Sequence, residues 1–153
     1  MKSLLLAVNR AKHRNKRLLF IVTALAALLV IFVFQQFSYP DFIFHRLLGV
    51  QISPAWEFSL NKFIRFLLND LAAILLIYGI FYEKKYVTLS MYVLGFGFLF
   101  ILLPYLFLVN KFPEYNGPLY SHLHRLIMNP ILLLLLIPVL LYQKMTQPSN
   151  YSN

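Results

Sequence analysis

Residues 18–37 read LLFIVTALAALLVIFVFQQF, an apolar run that no charged residue interrupts. Helical residues rise about 1.5 Å each, so ~20 of them cross the ~30 Å hydrocarbon core of a bilayer. A cleaved signal peptide has a shorter apolar core and ends at a small-x-small site. This run is longer and no such site follows it, so it reads as an uncleaved anchor. The rest of the chain agrees with a membrane setting. Of its 153 residues, 60% are hydrophobic and only 12% are charged, more apolar surface than a water-soluble domain of this size can cover.

Three further segments extend the pattern. One covers residues 63–82 and is broken only by Arg65 and Asp70. The next covers 86–109 and contains Gly95, Gly97 and Pro104. The last covers 121–142 and contains Pro130 and Pro138. The expected fold is all-α, an integral membrane four-helix bundle in residues 18–145, with a basic tail over 1–17 and a flexible tail over 146–153. In the last span, Asn129-Pro130 also reads as a helix start, because Asn caps well and Pro suits a first turn. A helix from there to Tyr142 would be only about 13 residues, or ~20 Å, too short to cross. The reading adopted is one helix from Ser121, kinked at Pro130. Proline then frees a carbonyl near Leu126 for Arg125 or a neighbouring polar group. The alternative is a separate short helix at the surface before Pro130. Between the first two spans, Asp41 to Gly49 mixes apolar and polar residues and reads as a short interfacial helix. Trp56, Tyr39, Tyr115 and Tyr120 suit an aromatic belt.

A net charge of +9 would suggest nucleic acid in a soluble protein. Here Lys2, Arg10, Lys12, Arg14, Lys16 and Arg17 all precede the first apolar run, which reads as a topology signal and an anchor to anionic lipid. Nucleic acid is therefore not an expected partner, and membrane lipids are. Lys84, Lys85 and Lys144 fall on the same side as the tail. Arg46, Lys62 and Lys111 fall on the other, with Arg65 and Arg125 at its boundary. The excess places both termini in the cytoplasm of a multi-pass protein of the cell inner membrane.

Polar groups inside a bilayer are expensive and are kept for a reason. Two apolar segments open alike, with Arg65-Phe-Leu-Leu-Asn69-Asp70 and Arg125-Leu-Ile-Met-Asn129-Pro130. On a helix Arg65 and Asn69 share a face, while Asp70 points about 140° away from Arg65. His122, Arg125 and Asn129 share a face as well. The expectation is that these faces meet in the outer leaflet, with Arg65, Asp70, His122 and Arg125 in one hydrogen-bonded group. A carboxylate in the bilayer costs roughly 2.5–3.5 kcal/mol on insertion scales, so Asp70 should have a partner. Arg65, Asn69, Asp70, His122, Arg125 and Asn129 are thus the candidate functional residues, as helix glue, headgroup contacts or a partner surface.

No catalytic residue is assigned. The chain has no cysteine, which excludes disulfides, thiolate nucleophiles and sulfur-ligated metals. No G-x-S-x-G, H-E-x-x-H or phosphate-binding glycine loop is present. His122 and His124, with His45, Glu57 and Glu114 on the same side, raise the question of a metal. An i, i+2 pair points to different faces of a helix, however, so neither metal nor cofactor is expected.

At these residues the chain resembles the exosortase F system-associated proteins of flavobacteria. The matching pieces are Tyr39-Pro-Asp-Phe42, Arg65-Phe-Leu-Leu-Asn69, His124-Arg-Leu-Ile-Met-Asn129-Pro130 with the leucine run to Pro138, and Tyr142-Gln-Lys144. In that pattern a second basic residue is common where His124 stands, and Gln where Asn129 stands. The resemblance implies partnership with an exosortase, a membrane transpeptidase-like enzyme that processes C-terminally anchored surface proteins. Exosortases are expected to use Cys, Arg and His, so a chain without Cys is not itself that enzyme. The resulting expectation is a non-catalytic accessory protein. The alternatives are an intramembrane enzyme using His122 or His124 with Asp70 or Glu114, acting on a lipid or on a sorted protein's anchor, and a small transporter subunit.

Overall fold

The computed structural model of the chain describes residues 2–49, 51, 53–112 and 117–146, with the backbone alone for 2–13 and 47. Glu114, Tyr115 and the tail beyond Thr146 lie outside these residues. The described residues are helical with short connections and contain no strand. A helix meets every backbone donor and acceptor within its own segment, which is what a bilayer core demands of a single apolar stretch.

Helix α1 spans Lys2–Val33, so the basic segment before the apolar run is helical and continuous with it. A π-helical turn, Asp41–Leu47, follows and ends at Gly49, whose φ of 65° suits glycine. It stands where the short interfacial helix is expected. Helix α2, Pro54–Phe81, starts on a proline at its first turn and stops at Tyr82 in a left-handed conformation (φ 55°). Tyr82 is held there by its N–H on Tyr78 O at 2.7 Å and by stacking on the Tyr78 ring at 5.2 Å. Helix α3, Lys84–Gly97, passes through a π-helical segment, Phe98–Leu102, into helix α4, Leu103–Lys111. The widened turn comes just before Pro104, which cannot donate to Phe100 O. The wide turn lets the helix pass the proline without ending.

The last span differs from the kinked helix expected of it. Helix α5, Pro118–Met128, and helix α6, Ile131–Thr146, are separate and bent by 64° across Asn129-Pro130. Asn129 is extended (φ −130°, ψ 136°), which is the conformation a following proline imposes. Three helical stretches are long and apolar enough to cross a membrane: 14–33, Pro54–Phe81 and Lys84–Lys111. The bent pair makes a fourth if taken as one span.

Helix α2 is the centre of the bundle and touches α1, α3, α5 and α6. It meets α1 through small residues. Ala24 and Ala73 are fully buried, and a Cβ placed on Gly79 would stand 3.0 Å from Ile21 N. Lipid gives helices no hydrophobic reason to associate, so close approach and dispersion carry this contact. Away from α2, the side chains of α1 such as Leu19, Val22, Leu29 and Phe32 are exposed. The buried apolar residues form two clusters. Ala73, Ile77, Phe81, Tyr86, Leu133 and Leu140 fill the half toward the α2–α3 turn. Phe66, Ile101, Leu102, Tyr105, Leu123 and Ile127 fill the other. Asn69 and Asp70 lie on α2 where the clusters divide.

Candidate functional site

Two arginines tie α1 to α2 at opposite ends. Arg17 donates from Nε to Gly79 O at 3.4 Å and from Nη2 to Ile80 O, near the end of α2. Arg65 donates from Nη2 to Phe37 O at 2.7 Å, just past the end of α1. Carbonyls at a helix end lack helical donors and carry the negative end of the dipole, so each arginine serves its neighbour's end. Arg65 also donates from Nε to Asn61 Oδ1 at 3.3 Å, and its guanidinium lies 5.7 Å from the Tyr39 ring centroid. Arg65 is 3% exposed, and among the described residues no carboxylate stands within ion-pair distance of it.

Asn69, one turn further along α2, is 5% exposed and donates from Nδ2 to Met128 O at 2.9 Å. The break between α5 and α6 leaves this carbonyl without the donor that an unbroken helix would supply from Leu132. The sequence suggested a freed acceptor near Leu126, with Arg125 or a neighbouring polar group as its donor. Instead the break comes at the end of α5, and the donor arrives from α2. Arg125 O accepts the backbone N–H of Asn129 at 3.2 Å and its side-chain Nδ2 at 3.3 Å.

Between α1, α2 and the break lies a cavity of about 200 Å³. Arg65, Asn69, Asn129 and Gln35 supply its polar lining, and Leu28, Ile31, Met128 and Leu134 are among its apolar walls. Three of the six candidate residues therefore come together. The other three do not join them. His122 is exposed and donates from Nδ1 to Pro118 O at 2.6 Å on its own helix. Arg125 is exposed. Asp70 is 7% exposed and its carboxyl makes no hydrogen bond or ion pair with the described residues, so the expected four-residue group is not formed among them.

Sequence reasoning passed over several residues. Gln35 and Gln36 close an apolar run and were a visible signal. Asn61 precedes Arg65 by one turn. Tyr105 is fully buried, and its hydroxyl meets His124 Nδ1 at 3.0 Å and Tyr120 Oη at 3.4 Å. A phenol in an apolar span needs such partners. Among the described residues no group of three or more His, Asp and Glu is placed to hold a metal.

At the opposite end Glu83, in the α2–α3 turn, takes Lys85 Nζ at 2.9 Å and Lys144 Nζ at 3.0 Å. Hydrogen bonds from Lys85 and then Lys144 hold its carboxyl below the usual glutamate range. The Lys144 contact ties the end of α6 to the α2–α3 turn.

Comparison of the chain with protein-family models, curated proteins and solved structures gave no match in any of the three.

Proposed function

We propose that the chain is a four-span protein of the inner membrane with both termini cytoplasmic, and that it acts as a non-catalytic accessory subunit of an exosortase protein-sorting system. The observation that supports a scaffolding role is the use made of two buried polar side chains on the central helix. Arg65 and Asn69 bond backbone carbonyls of neighbouring segments at 2.7 and 2.9 Å, so they fix how helices end and break. The orientation rests on the lysine and arginine distribution. The exosortase partnership rests on the resemblance of the Tyr39, Arg65 and Arg125 pieces to the associated family.

The test is co-purification. The full chain, tagged and expressed in a flavobacterial host, should retain an exosortase in mild detergent, and its deletion should impair surface-protein sorting. Normal sorting in the deletion strain together with absence of the enzyme from the eluate would overturn the proposal. The lack of cysteine makes the orientation testable separately. In spheroplasts a membrane-impermeant maleimide should label Arg46→Cys and spare Lys85→Cys, and the reverse pattern would invert the topology.

A further inference from the structure

Hydrogen bonds and charge are balanced differently around Arg65. Its acceptors are Phe37 O and Asn61 Oδ1, both neutral, and two of its five N–H groups satisfy them. Its full positive charge is buried, and the rest of the cavity's polar lining, Gln35, Asn69 and Asn129, is neutral. Lys62, a turn earlier on α2, adds a second cation beside the same break. Its ammonium lies 3.9 Å from Met128 Sδ and 5.2 Å from the Phe58 ring centroid, again without a carboxylate among the described residues. Helix α6 begins at the cavity wall, so the positive end of its dipole adds to the same field. A buried cation without a counter-ion is costly, and an anion that enters removes that cost.

The cavity also has an apolar side. Leu28 and Ile31 of α1 and Leu134 of α6 all line it, and α1 packs mainly on α2. An occupant suited to this lining carries one negative charge with hydrogen-bond acceptors at one end and methylene groups at the other. We propose that the cavity binds a membrane lipid with a net anionic phosphodiester headgroup. The phosphodiester sits against the Arg65 guanidinium and the amides of Gln35 and Asn129. The first part of an acyl chain lies along Leu28, Ile31 and Leu134. A zwitterionic lipid is disfavoured because its ammonium finds no carboxylate in the lining. The proposal does not rest on an exosortase partnership, and either can fail without the other.

Native mass spectrometry of the detergent-purified full chain tests it, with phosphatidylglycerol and phosphatidylcholine of matched acyl chains as probes. The wild type should retain phosphatidylglycerol about tenfold better. Leu134→Trp fills the cavity while keeping every charge, so attraction of the basic segment to anionic lipid is unchanged, and the preference should fall to about twofold. Gln35→Leu, which alters the lining without touching either arginine cap, should lower it to about threefold and serves if the tryptophan variant does not fold. Equal retention of the two lipids by the wild type would overturn the proposal. So would an unaltered preference in a variant that melts like the wild type. Full displacement of phosphatidylglycerol by millimolar inorganic phosphate would assign the cavity to a soluble anion instead and would also overturn it.

Discussion

At the end where Arg17, Glu83 and Lys144 gather, charged groups are exposed and meet charged or terminal groups at the surface. At the level of Arg65, Asn69 and Asp70, polar groups are buried and meet only neutral ones, or none among the described residues. The first region is closed by a tight hairpin turn and an ion-pair tie, and its helices run on unbroken. The second contains a helix break, a π-helical widening next to Pro104 and a cavity. At the break, the buried Asn69 side chain takes up Met128 O, a carbonyl that the irregular backbone frees. That is the condition under which lipid tolerates irregularity at all.

The largest effect should come from forcing α1 off α2. A leucine at Gly79 would overlap Ile21 N and the Phe20 side chain, whereas a Cβ added at Gly95 would meet nothing within 4 Å. Gly79→Leu should cost about 2–3 kcal/mol in reversible unfolding from detergent, the scale of overpacking, and Gly95→Leu close to nothing. Equal costs would mean that the helices are not held by close approach. Next, Asn69→Leu removes the donor to Met128 O. Interhelical hydrogen bonds in membranes average near 0.6 kcal/mol, so the cost should be about 1 kcal/mol or less. The more telling change is in the bend. Spin labels on cysteines at the exposed positions 119 and 141 should give a broader distance distribution, and an unchanged one would show that Pro130 alone sets the 64° angle.

The spans were legible because composition and length suffice once lipid is the solvent. The break was harder. Its residues, Asn129 and Pro130, carry both a start signal and a kink signal, and length argued for the kink. The donor that meets the carbonyl at the break, Asn69, lies 59 residues before Met128, and no local pattern reveals it. The twin Arg-x-x-x-Asn pieces were equally misleading. They look alike in sequence, yet Arg65 is buried on the central helix and Arg125 is exposed on a peripheral one. In segments apolar on every side, periodicity does not say which face acquires neighbours. Asp70 was expected to pair because a membrane carboxylate should. The described residues give it burial without a partner.

Two smaller tests bear on the exposed region and on that twinning. Folding lowers the Glu83 carboxyl below its ordinary range. Its contribution is therefore fully present above the ordinary glutamate value and fades as pH falls through the lowered one. Glu83 is largely solvated, so the effect should be about 0.5 kcal/mol or less and should shrink with salt. A Glu83→Gln variant should lose that acid-side slope, and a slope that survives belongs to another group. Smallest of all, Arg125→Leu and Arg46→Leu should give equal folding yields, since both side chains are exposed. A markedly lower yield for Arg125→Leu would restore the symmetry of the two clusters.

The reciprocal arginines also bear on how the first two helices find their alignment. Leucine-rich helices can slide along one another with little change in dispersion energy, because one apolar turn resembles the next. Arg17 grips the far end of α2 and Arg65 the far end of α1, so a slip of one turn, about 5.4 Å, withdraws both grips together. The pair α1–α2 thus carries a two-point gauge of its own alignment, built without any residue of the later helices.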